Sequence, residues 1–130
     1  MKGLLTGLML LAGGAQADEA AIRGVIDDQL DAFRADDFAS AFTFAAPNIR
    51  DIFRDPDTFG RMVREGYPMV WHPGRVQYLG TSEEGASWRQ DVLITDEAGR
   101  LHTLAYTMIE TPEGWKIAGV EILRDPEVGA

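Results

Sequence analysis

The sequence predicts an α+β domain: N-terminal helices packed on a four-stranded antiparallel meander. Two observations carry this. From Asp18 to Gly66 the apolar residues recur at helical spacing, whereas after Pro73 the period shortens to two. The four alternating runs are joined by links too short for crossover helices, so each neighbouring pair must be antiparallel.

Ahead of the first helix lies Met1-Lys2, an apolar run from Leu4 to Ala12, and Gly13-Gly14-Ala15-Gln16-Ala17 before Asp18-Glu19. One basic residue, a short apolar stretch and a small-x-small site describe a secretory signal peptide over residues 1–17, cut between Ala17 and Asp18. The apolar run is about half the roughly 20 residues a bilayer span needs. The expectation is therefore a periplasmic or secreted protein, with residues 18–130 as one domain. A domain of that length can bury a core without covalent staples.

The first helix runs from Asp18 to about Arg34, with Ile22, Val25, Ile26, Leu30 and Phe33 on one face and Asp18 and Glu19 at its positive end. Asp36-Asp37 offers an N-cap to a second helix carrying Phe38, Ala41, Phe42 and Ala45, ending near Pro47. Asn48 caps a short third turn presenting Ile49, Ile52 and Phe53. Asp55-Pro56 is the strongest start signal, and the helix it opens shows Phe59, Met62 and Val63 and stops at a left-handed Gly66.

The strands are expected over Arg75 to Leu79, Ala86 to Thr95, Leu101 to Glu110 and Trp115 to Leu123. Glu97-Ala98-Gly99 and Pro112-Glu113-Gly114 both fit three-residue hairpins with glycine at the left-handed position. Asp96 then pairs with Arg100, Thr111 with Trp115, and Glu110 with Lys116. This register puts Trp88, Gln90, Val92, Ile94, His102, Leu104, Tyr106, Met108, Ala118, Val120 and Ile122 on the helix-facing side. Arg89, Asp91, Thr103, Ala105, Thr107, Ile117, Gly119 and Glu121 fall outside.

Composition removes several function classes. With 21 acidic against 12 basic residues the net charge is −9, a sign that repels phosphate backbones and anionic lipid heads. No nucleic acid is expected as a partner, and no membrane once the signal is removed. There is no cysteine, so disulfides, thiolate zinc sites, a cysteine nucleophile and thioether lipidation are excluded. Asp27, Asp28 and Asp31 read as the solvated face of the first helix, and Asp51, Asp55 and Asp57 lack the spacing of a calcium loop. His72 and His102 have no ligand-spaced partner. No metal, cofactor or catalytic residue is therefore expected.

Tyr67, Trp71, Gln90 and Tyr106 remain as candidates to line a pocket. Tyr67 and Trp71 join helix to sheet, and the register sets Gln90 opposite Tyr106. Polar side chains amid apolar ones are what a small-molecule site requires. The alternative is that Tyr67 and Trp71 are core residues with one wet edge and that the Gln90–Tyr106 pair is satisfied internally.

Ala32-Phe33-Arg34-Ala35-Asp36-Asp37, Ala41-Phe42-Thr43-Phe44-Ala45-Ala46-Pro47, Met62-Val63-Arg64-Glu65-Gly66-Tyr67-Pro68 and Gly114-Trp115-Lys116-Ile117-Ala118-Gly119 resemble segments of the family called domain of unknown function 4864, small secreted proteobacterial proteins. The element order is similar to the nuclear-transport-factor-two-like fold. That likeness implies a curved sheet wrapping the helices as a cone, often with a pocket left open, and it implies no reaction.

Three functions follow as expectations. The first is an exported non-catalytic domain holding a small, partly apolar molecule in the cone. The second is an isomerase or dehydratase type of enzyme in which Tyr106 donates to a developing oxyanion and His102 accepts a proton. The third is a dimerising or partner-binding module using the outer sheet face, a homodimer through the sheet being one form.

Overall fold

The computed structural model describes the backbone of residues 2–123 and the side chains of residues 16–123. Helices come first: α1 (Lys2–Arg34), α2 (Phe38–Thr43), α3 (Pro47–Phe53), α4 (Pro56–Gly66) and α5 (Pro68–Trp71). Four strands follow, β1 (Arg75–Glu84), β2 (Ser87–Thr95), β3 (Leu101–Thr111) and β4 (Gly114–Ile122), in one open antiparallel sheet of order β1-β2-β3-β4. The expected α+β meander is thus the observed one.

The helix boundaries follow local chemistry, with three departures. Asp37 caps α2 by accepting from the Ser40 amide at 3.1 Å, and Asp55 caps α4 by accepting from the Thr58 amide at 2.9 Å. The expected start of α1 at Asp18 is corrected: the helix is continuous from Lys2, so Asp18 and Glu19 lie within it. Met1 and the side chains of residues 2–15 lie outside the described residues. Asn48 caps nothing; α3 starts from Ala46 with Pro47 in its first turn, and the Asn48 amide instead donates to the Ala118 carbonyl at 3.0 Å. Gly66 is the last helical residue rather than a left-handed cap, because Tyr67 and Pro68 already break α4 and open α5.

Between β2 and β3 the expected register holds throughout: Trp88 pairs with Met108, Gln90 with Tyr106, Val92 with Leu104 and Ile94 with His102. Gly99, at φ 86°, closes that hairpin. The last hairpin differs. Pro112-Glu113 makes a two-residue turn, so Thr111 pairs with Gly114 and Glu110 with Trp115. The expected Glu110–Lys116 pair is replaced by Ile109–Lys116, and the Lys116 ammonium donates to the Thr43 carbonyl. A bulge then inserts Ala118, which restores the expected partners Tyr106–Val120 and Leu104–Ile122. Trp115 and Ile117 consequently turn inward and are buried, correcting the placement of Ile117 on the outer face.

A second bulge interrupts β1, which is longer than expected: Leu79 and Gly80 together stand opposite Asp91. The core lies between α1 and the inner sheet face, where Ile22, Ile26, Leu30 and Phe33 meet Val92, Ile94, Leu104, Tyr106 and Met108. Trp88 is half-buried at its margin, edge-on to Trp115 with ring centroids 5.9 Å apart. At the α2–α4 crossing the Phe38 ring covers Gly60 so closely that a Cβ there would lie 2.6 Å from the ring.

Candidate functional site

The groove best formed as a binding site lies between the helices and the bulged strand. Three contacts build it. The chain leaving α2 bridges to β4, with the Ile117 amide donating to the Phe44 carbonyl at 2.9 Å and the Ala46 amide to the Ile117 carbonyl at 2.8 Å. Asn48 then takes the carbonyl of the bulged Ala118. These bonds tie the start of α3 to β4 beside a half-open cavity of about 280 Å³.

Its walls are Phe33 of α1, Ile49, Ile52 and Phe53 of α3, Phe59, Met62 and Val63 of α4, and Ile117 to Val120 of β4. Phe59 is the hinge of the aromatic wall, 5.8 Å from Phe33 and 5.9 Å from Phe53 between ring centroids. Ile52 stands at the rim and is 70% exposed. Among the described residues no lining side chain is charged, although a quarter of the chain is.

Polar atoms in this groove are few. The Tyr67 hydroxyl donates to the Val120 carbonyl at 3.3 Å. Gln29, 3% exposed, donates from its amide nitrogen to the Ala41 carbonyl at 3.1 Å. Among the described residues nothing donates to its Oε1. The sequence reading passed over Gln29, yet a signal was there: it lies three residues after Ile26 and four before Phe33, inside the buried stripe, where a polar residue needs a reason.

Of the four side chains expected to line a pocket, only Tyr67 reaches this groove. Trp71 is 2.8 Å from Asp36 through its indole N–H, stacked on His72 at 3.8 Å between rings, and faces a separate cleft with Met69, Asp96, Arg100 and His102. Gln90 is fully buried under the β1 bulge. Its amide donates to the Asp91 carbonyl at 2.8 Å and to the bulged Leu79 and Gly80 carbonyls at 3.3 Å each, and its oxygen accepts from Thr81 at 2.6 Å and Arg23 at 3.3 Å. A bulge frees carbonyls that need donors, and Gln90 supplies them.

Tyr106 pairs with Gln90 in register without bonding to it. Its hydroxyl is buried and has no partner among the described residues. Burial pushes its phenol pKa well up. His102, four residues away on the same strand, bonds Asp96 at 2.8 Å at the other cleft, so the pair named for proton transfer does not converge on one cavity. That bond, followed by the Arg100 and Ala98 amides, holds the Asp96 carboxyl below the usual range; Trp71 and then His72 do the same for Asp36. Among the described residues no three His, Asp or Glu side chains converge on a metal position.

The fold and groove define an α+β domain with an uncharged, largely apolar cavity and no assembled acid–base constellation in it. The chain belongs to the family described as Domain of unknown function (DUF4864), whose model matches residues 15–130. No curated protein matches it. Among solved structures it is similar to RPA3114, a SEC-C motif containing protein from Rhodopseudomonas palustris, at 19% identity over 72% of each chain with a TM-score of 0.52, a likeness of fold alone.

Proposed function

We propose that this protein is an exported binding domain that holds a small, mainly apolar molecule in the groove between α1, α3, α4 and β4. One observation carries the reading: a cavity of about 280 Å³ whose lining, among the described residues, contains no charged side chain, in a chain with net charge −9. Ligand sites are mostly apolar concavities with a few placed polar groups, and this one lies at the small end of their size range. Bulges in β1 and β4 are features that bend strands, and they support a curved sheet of the nuclear-transport-factor-two-like kind as the frame for it.

Export rests on the signal-peptide pattern of residues 1–17, and Gln16 and Ala17 beside the expected cleavage point are exposed. Among the described residues no helix is long and apolar enough to cross a membrane. The outer sheet face favours a partner less, because Ile117, the large apolar residue assigned to it, is inside. Native mass spectrometry of protein purified from its own cells tests the reading: an added small-molecule mass on a chain beginning at Asp18 is expected. Bare protein from every preparation, with Met1 retained, would overturn it.

A further inference from the structure

Gln29 offers a hydrogen-bond acceptor to whatever occupies the groove. The side chain is 3% exposed and lines the cavity. Its amide nitrogen is committed to the Ala41 carbonyl, which also fixes the amide orientation and turns Oε1 away from that contact. Among the described residues nothing donates to Oε1. An amide oxygen without a donor can accept a hydrogen bond from whatever fills the groove.

The other polar atoms point the same way. The Tyr67 hydroxyl is donated to Val120 and the Asn48 amide to Ala118, so both are engaged with β4 carbonyls. Among the described residues the lining offers no arginine, lysine or histidine to receive an anion, and the chain's charge adds a general repulsion. A carboxylate or phosphate entering the groove would lose its hydration and find no counter-charge.

We infer that the groove selects a compact neutral apolar molecule bearing a single hydrogen-bond donor, such as an alicyclic or aryl alcohol, with its hydroxyl donated to Gln29 Oε1. This rests on the groove being the binding site and adds the chemistry it reads. Gln29 is then the specificity-determining residue: the aromatic wall of Phe33, Phe53 and Phe59 supplies affinity for any apolar body of the right size, and the amide oxygen ranks ligands that share that body.

A matched ligand series separates the two claims. Dissociation constants are measured for 2-naphthol, naphthalene and 2-naphthoate at neutral pH, with the full chain and with Gln29→Met. The wild type is expected to bind 2-naphthol about five- to tenfold tighter than naphthalene, the worth of one net hydrogen bond. Naphthoate should bind weaker than either. In Gln29→Met the alcohol should lose its advantage while naphthalene binding persists. Equal affinity for 2-naphthol and naphthalene in the wild type would overturn the role of Gln29 and leave the apolar groove standing. Tightest binding by naphthoate would overturn the selection for a neutral ligand. Binding of none of the three would remove the groove reading itself, and this inference with it. The wild-type ranking decides the matter even if Gln29→Met fails to fold.

Discussion

Two polar side chains face each other across β2 and β3, and the protein treats them oppositely. Gln90 serves five partners around the β1 bulge, whereas the hydroxyl of Tyr106, equally buried, has none among the described residues. Tyr106→Phe should therefore leave the protein as stable as wild type or more so, by about 1 kcal/mol, since the hydroxyl pays desolvation without return. Gln90→Leu should cost about 3 kcal/mol by stranding the bulge carbonyls. Urea unfolding of both checks this; a clear loss of stability in Tyr106→Phe would mean that its hydroxyl has a partner. Carboxylates at the Trp71–His102 cleft add an acid dependence. Asp36 and Asp96 have folded pKa values lowered below the ordinary value near 4, so what they contribute is present above that value and fades as pH falls through the folded pKa. Stability followed below about pH 5 should fall less steeply in Asp96→Asn than in wild type; an unchanged slope would remove Asp96 from the acid response.

At the scale of elements, the helices and the central hairpin were legible because their signals are local. Asp55-Pro56 caps its own helix, and Asp96 to Arg100 closes its own turn. The β4 bulge was not legible. A three-residue loop and a two-residue loop followed by a bulge both accommodate Pro112-Glu113-Gly114, and what selects the second lies 70 positions back in the chain, where Asn48 takes the Ala118 carbonyl. The same distance effect hid Gln29, whose partner is a carbonyl of α2, and misplaced Ile117, whose inward turn depends on the bulge. Of the candidate site, sequence reasoning reached Tyr67 and the apolar positions Phe33, Phe53, Phe59 and Met62, but not how they converge. Two substitutions test the element contacts. Gly60→Ala raises helix propensity in α4 by up to about 1 kcal/mol, yet it should destabilise by about 1–3 kcal/mol because its Cβ meets the Phe38 ring. Phe33→Ala should cost about 3–5 kcal/mol, and Trp88→Ala clearly less, because Phe33 is sealed in the core and Trp88 only half-buried. Thermal or urea unfolding that ranked Trp88 above Phe33 would contradict the burial on which this rests.

For the whole molecule, one arrangement links packing to function. The meander's far strand is bulged, the bulge is bonded to the α2–α3 segment, and beside that junction α3, α4 and β4 line a cavity with no charged side chain among the described residues. The central claim is that this cavity, rather than the Trp71–His102 cleft or the outer sheet face, receives a ligand. Amide chemical-shift mapping of the isotope-labelled protein during titration with 2-naphthol tests it most directly. The account predicts saturable shifts concentrated at Gln29 and Phe33, along Ile49 to Phe53, at Met62 and Val63, and along Ile117 to Val120. Shifts centred on Trp71, His72 and His102 or on Arg89, Asp91 and Thr107, or no saturable shifts at all, would contradict it.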